Sequence, residues 1–202
     1  MAHEVRPLPF KPHRLDGLSE RLLTSHYENN YGGAVKRLNL IIEQLAGLDF
    51  NTGPNFLING LKREELIATN SMILHELFFD GLGVESQPGR ELAVAIARDF
   101  GSFDRWRQEF TAMGKALGGG SGWVLLSWSP RDRKLVNQWA SDHCHTLAGG
   151  TPILALDMYE HSYHMDFGAK AGGYVDVFME AVRWANADKL HAELISHHPD
   201  GA

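Results

Sequence analysis

Residues 118–128 read Gly-Gly-Gly-Ser-Gly-Trp-Val-Leu-Leu-Ser-Trp, and across them the chain changes its pattern. Before the glycines, apolar residues recur at three- and four-residue intervals; after them, Trp123–Trp128 is a continuous apolar and aromatic run of strand composition. The polar turn Pro130-Arg131-Asp132-Arg133 separates that run from Leu135–Trp139, which predicts a hairpin, and Ile153–Leu156 predicts a third strand. A helix is expected from about Tyr174 to Leu190.

Toward the N-terminus the reading is helical. Glu91–Asp99 and Asp104–Leu117 carry helical spacing, and Ser86-Gln87-Pro88-Gly89 reads as a linker that places a domain boundary near residue 88. Leu18, Leu22, Leu23, Val35, Leu38, Ile41, Ile42 and Leu45 form the stripe of an amphipathic helix, with Ser19 as its cap. Gly32-Gly33 costs that helix about 1 kcal/mol per glycine and predicts a kink or a close contact. After Asn51-Thr52-Gly53-Pro54, a second stripe runs from Leu61 through Leu66, Ile67, Ile73, Leu74, Leu77 and Phe78 until Gly81 and Gly83. The expected fold class is α+β, with a long α-helical hairpin over residues 1–88 and a small antiparallel sheet among helices over 89–202.

Composition removes several function classes. The 202 residues are 44% hydrophobic, ordinary for a globular chain, and 19 Lys and Arg against 25 Asp and Glu give a net charge of −6. That balance offers no attraction to nucleic acid or to an anionic membrane. Cys144 stands alone, so no internal disulfide forms. The opening MAHEVRPLPFKPHRL has no signal-peptide core and no stretch approaches a bilayer span, which predicts a cytoplasmic protein. Eleven histidines are many for this length, and histidine is the commonest metal ligand.

Asp157-Met158-Tyr159-Glu160-His161 follows the third expected strand, so a carboxylate and an imidazole leave a buried strand end together. Such oxygen and nitrogen donors suit Fe, Mn or Zn. His26 lies four residues after Leu22, on or beside the first apolar stripe, and His75 lies three before Phe78 on the second. Each alone reads as a core histidine bonded to a carbonyl; on facing antiparallel helices the two could also share one level of the interface.

The segment Asp157–Tyr163 resembles a signature of the iron/manganese superoxide dismutases. So do Gly120-Ser121-Gly122-Trp123, Phe100-Gly101-Ser102-Phe103, Leu8-Pro9-Phe10, and His75 before Phe78-Phe79. The resemblance covers nearly the whole chain. It implies a C-terminal α/β domain with a three-stranded antiparallel sheet, and one Fe or Mn ion per subunit between the two domains. It further implies His26, His75, Asp157 and His161 as ligands, superoxide as substrate, and no organic cofactor. Glu160 matches a residue that crosses a two-fold axis to the metal-ligating histidine, which implies a homodimer with Glu160 reaching His161 of the partner subunit.

The chain also departs from the family. Glutamine is usual against the solvent at the metal; the two candidate positions here are Ser71 and His143, and His143 is expected to take that role, with His145 as the neighbouring register. Asn30 and Ala34 stand where a histidine and a tyrosine usually line the substrate funnel, with Tyr27 or Tyr31 as possible replacements. Tyr159 replaces a tryptophan as the aromatic wall, His164 a tyrosine, and Ala171 an arginine that guides the anion, leaving Lys170 nearby. Trp123, Trp128 and Trp184 read as core and pocket wall. The leading expectation is a superoxide dismutase; the alternative is a metal-binding relative with low or different activity, and a third is a helical partner-binding protein with satisfied core histidines.

Overall fold

The computed structural model describes residues 2–84 and 86–197. Helix α1, Glu20–Ser25, begins where Ser19 caps it: the Ser19 hydroxyl accepts from the Leu22 amide at 3.1 Å. The chain then passes through a π-helical segment, His26–Tyr31, before α2, Gly32–Ala46. The irregularity expected at Gly32-Gly33 thus lies just ahead of the glycines. The Gly32 amide donates to the Tyr27 carbonyl five residues back, which closes the wider turn. One extra residue in that turn keeps both His26 and Tyr31 buried, although five residues in a regular helix would carry them to different faces.

Helix α3, Asn55–Asp80, starts directly after Pro54 and returns antiparallel along α2, completing the hairpin. Helices α4, Arg90–Phe100, and α5, Phe103–Ala116, follow; Ser102 caps the latter by accepting from the Arg105 amide at 3.0 Å. Strands β1, Trp123–Ser129, β2, Lys134–Ala140, and β3, Thr151–Asp157, form an antiparallel sheet in the order β2-β1-β3. Every residue of the central strand β1 is buried, which explains why it reads as an unbroken apolar run. Gly122 enters β1 at φ +133°, and a Cβ there would fall 2.1 Å from the Ala140 carbonyl oxygen, so only glycine fits. In that register Trp123 lies opposite both Ala140 and Asp157.

Beyond β3 come a single 3₁₀ turn, Glu160–Ser162, and the short α6, His164–Phe167. The single helix expected over Tyr174–Leu190 is in fact two, α7, Ala171–Glu180, and α8, Ala185–Ser196. The chain breaks between them to bridge Leu82 with Val182. The Gly83 amide donates to the Ala181 carbonyl at 3.0 Å and the Arg183 amide to the Gly81 carbonyl at 2.8 Å. One continuous core, from Leu15 to Ala187, joins the hairpin to the sheet and its helices. No helix among the described residues is long and apolar enough to cross a membrane. The sequence also reads His197-His198-Pro199-Asp200 as a frayed, solvated tail; of these, residues 198–200 lie outside the described residues.

Candidate metal centre

Four donors from four separate elements meet at the end of β3. Asp157, fully buried, is the last residue of that strand; its Oδ2 lies 3.1 Å from His26 Nε2 and 3.1 Å from His161 Nε2. His75 Nε2, from α3, is 3.5 Å away. One donor atom from each residue falls within 4.8 Å of all the others. Two donors at right angles on one ion, with bonds near 2.1 Å, are about 3 Å apart, so the spacing suits a shared ion.

The protonation pattern makes the same point. His75 Nδ1 is 2.6 Å from the Ser71 carbonyl, which can only accept, so Nδ1 carries the proton and Nε2 presents a lone pair. That Nε2 is buried and has no hydrogen-bond partner, although it faces the Asp157 carboxylate. A lone pair and an anionic oxygen that face each other out of water repel unless a cation lies between them. Burial lowers the His75 pKa to about 3, with His26 adding to the shift. Burial likewise lowers His26, outweighing its hydrogen bond to the Asp157 carboxylate, which works to raise it. Burial works to raise Asp157, but the charge and hydrogen bonds of His161 and His26 outweigh it and hold the carboxyl below its usual range. At neutral pH the cluster therefore offers one carboxylate and unprotonated imidazole at His26 and His75, the forms that bind metal.

The carboxylate is held from several sides. Its Oδ1 accepts from the Tyr159 amide at 2.8 Å, and the Asp157 carbonyl accepts from Ser162 Oγ at 2.9 Å and Tyr174 Oη at 2.8 Å. Ser19 ties α1 to α6: its amide and hydroxyl both donate to Asp166 at 2.7 Å, so the helix that leads to His26 is anchored near the turn that carries His161.

His143 lies beside this cluster, its ring 6.1 Å from that of His75. It stacks on Tyr159 at 4.8 Å, and Tyr159 stacks on His161 at 5.3 Å, both pairs within 13° of parallel. Trp123 Nε1 donates to His143 Nδ1 at 3.0 Å, so in the neutral ring the remaining proton sits on Nε2. Asn70 on α3 holds the loop by donating to the His143 carbonyl at 2.6 Å. His145 instead stacks on Trp139 and bonds to Ser141, away from the donors. Ser71 is buried on α3, one turn before His75.

The family model described as iron/manganese superoxide dismutases, C-terminal domain, matches residues 88–190. An iron superoxide dismutase of Cupriavidus metallidurans is 69% identical over 93% of this chain and 95% of its own length. The chain belongs to the iron/manganese superoxide dismutase family. Similarity extends to a manganese superoxide dismutase of Halobacterium salinarum, 37% identical over 90% of this chain and 91% of its own. An iron enzyme of Aquifex aeolicus is 31% identical over 90% of this chain and 88% of its own.

Against the pattern expected for this dismutase family, Ala34 and Ala171 are both buried and present no polar group. Tyr31 and Tyr27 do not fill the vacated positions with free hydroxyls: Tyr31 Oη donates to Glu76 at 2.9 Å and Tyr27 Oη to the Arg6 carbonyl at 2.8 Å. Burial, aided by Glu76, pushes the Tyr31 pKa up to about 12 despite its bond from the Arg6 amide. Lys170 is exposed at the start of α7. Phe78 and Phe79, with ring centres 5.0 and 5.1 Å from His26, wall the cluster. Sequence reading missed the bond from Trp123 to His143 and the support of Asp157 by Ser162 and Tyr174; only the placement of Ser162 immediately after His161 hinted at the latter.

Proposed function

We propose that this chain is a superoxide dismutase in which His26, His75, Asp157 and His161 hold one Fe or Mn ion. The observation that carries the reading is the buried His75 lone pair that faces the Asp157 carboxylate at 3.5 Å with two further imidazoles alongside. When bound, the metal supplies one-electron chemistry, oxidising one superoxide to dioxygen and reducing the next, with two protons, to hydrogen peroxide. Asp157 compensates cationic charge in a buried site, and the Ser71 carbonyl fixes the His75 tautomer that binds. His143 holds a proton at Nε2, positioned by Trp123, for delivery toward the reacting oxygen. Tyr159 keeps the rings of His143 and His161 aligned, and Phe78, Phe79 and Trp123 exclude bulk water. The ion joins the hairpin of residues 1–88 to the part that follows, 89–202.

Iron is the ion this reading favours, since the relative at 69% identity is an iron enzyme. The decisive measurement loads purified protein with iron or manganese and compares superoxide removal with that of free ion. Dismutation well above the free ion is expected at full occupancy. No excess would replace this reading with a metal-binding relative of low or different activity, a role that Ala34 and Ala171 would suit. A cytoplasmic antioxidant role belongs to the same reading, supported by the single cysteine.

Trp123→Phe removes the donor to His143 Nδ1 and frees both tautomers. Activity should fall about tenfold with metal content unchanged, because groups that orient a metal site's outer partners typically matter 10–100-fold. Unchanged activity in a fully metallated W123F protein would remove His143 from the proposed role.

The assembly proposed is a homodimer. Glu160 is exposed and neighbours His161, whose side chain is 25% exposed while His26 and His75 are buried. A bridge from Glu160 to His161 of the partner subunit would close that open side and orient the ring. Glu160→Ala should shift sedimentation toward monomer and lower metal retention together. A dimer unaffected in both would refute the bridge.

A further inference from the structure

The loop that carries His143, residues 141–150, has no regular secondary structure, and no backbone hydrogen bond among the described residues ties 142–146 to a neighbouring element. Side chains hold it instead. Ser121 Oγ donates to the Ser141 carbonyl at 3.1 Å, Trp123 Nε1 to the His143 ring at 3.0 Å, and Asn70 Nδ2 to the His143 carbonyl at 2.6 Å. Trp123 selects which ring nitrogen keeps the proton, but a bond to the ring does not fix the backbone from which the ring hangs. That backbone is gripped by Asn70.

Asn70 is placed to couple two parts of the centre. It adjoins Ser71 on α3, whose carbonyl lies 2.6 Å from His75 Nδ1. Two consecutive residues of one helical turn therefore hold His75 by its ring, through Ser71, and His143 by its backbone, through Asn70. The two rings stand 6.1 Å apart. We propose that Asn70 is a positioning residue for proton delivery, one that sets the distance of the His143 ring from His75. The inference rests on the dismutase reading of the site and adds to it a residue that touches neither the four donors nor the His143 ring. Proton transfer needs heavy atoms within about 2.6–3.2 Å, and a misplacement of about 1 Å can cost on the order of a hundredfold. With Trp123 still engaged, a smaller drift and a loss of about tenfold are expected.

Two variants of the metal-loaded protein provide the test. Asn70→Leu keeps the size of the side chain, removes the donor and substitutes a better helix former, so α3 is retained. Asn70→Asp keeps the shape but sets a carboxylate, which only accepts, against the His143 carbonyl. Both should hold parental metal, with kcat about tenfold lower and kcat/KM within about twofold of the parent. Protons are needed to complete peroxide after superoxide has bound, whereas encounter governs the rate at low substrate; general damage to the site would lower both constants together. A second readout needs no turnover. The tryptophan resonance Raman band sensitive to indole N–H bonding, with the share of Trp123 taken from its loss in W123F, should move toward the unbonded position as the His143 ring drifts. Parental kcat in metallated N70L, equal loss in kcat and kcat/KM, or an unmoved Trp123 band would each overturn the proposal. A metal-loaded parent without dismutation would instead sink the dismutase reading, and the Trp123 band would then decide alone whether Asn70 sets the ring.

Discussion

Asp157→Asn should yield a folded protein that retains only a small fraction of the parent's metal and loses more than about a hundredfold in dismutase activity. The amide has the shape of the carboxylate and can still accept from the Tyr159 amide, so the end of β3 keeps its support. What disappears is the anionic charge that three imidazoles cannot replace. Two of them, His26 and His75, are buried, and a cation among neutral donors out of water is poorly stabilised. Loss of an outer partner of a metal site typically costs 10–100-fold, and removal of the central anionic donor should exceed that. Because an ion that binds only the folded state adds to its stability, D157N should also melt at the same temperature with and without added metal, whereas the parent protein should melt higher when loaded. Metal analysis, activity and thermal melts on one preparation decide the matter. A D157N protein with full metal and parental activity would remove Asp157 from the site.

Much of this arrangement was legible because local chemistry and tertiary structure agree. Gly118–Gly122 ends a helical pattern and Trp123–Trp128 starts a strand, and the same glycines are what the tight entry to β1 demands at Gly122. Ser19 was readable as a cap since its hydroxyl serves an amide three residues on. That these four side chains, Asp157, His161, His26 and His75, meet was readable in part: a four-residue step puts Asp157 and His161 at one strand end and two apolar stripes put His26 and His75 on facing helices, but the spacing alone fits core histidines equally well, and only the family resemblance joined the four into one set. The π segment was not readable, because a change from i+4 to i+5 bonding leaves no mark in apolar spacing over six residues. Nor was the break between α7 and α8. Ala181, Val182 and Trp184 continue the buried pattern, and only their pairing with residues 81–83, a hundred positions away, interrupts the helix. The bond from Trp123 to His143 has the same character, joining β1 to a loop beyond β2 whose path no local pattern sets.

Metal-stripped protein should lose stability steadily as pH falls from about 6.5 toward 3. His75 is the main cause: its pKa is about 3 in the folded protein against 6.5 for the exposed imidazole of the unfolded chain, because burial and the neighbouring His26 disfavour the charged ring. Above pH 6.5 neither state binds this proton and stability is unaffected. Between the two values the unfolded chain binds it and the folded chain does not, so acid favours unfolding, and below about 3 the full penalty applies. A shift of that size corresponds to roughly 5 kcal/mol, comparable with the whole stability of a typical domain. His26 and His143, also lowered by burial, act in the same direction. Asp157 adds to it below its ordinary pKa of 3.8, since a carboxyl held below that value contributes stability that is lost as it protonates. Bound metal should flatten the upper part of the curve, because an imidazole lone pair engaged by an ion is unavailable to protons until the ion leaves. Thermal melts of metal-free and metal-loaded protein between pH 3 and 8 test this, and His75→Gln should shallow the metal-free slope by removing its largest contributor. A metal-free protein whose melting temperature stayed level down to pH 4 would show that His75 is not held neutral by its surroundings. The lone pair that faces Asp157 would then no longer argue for a cation between them.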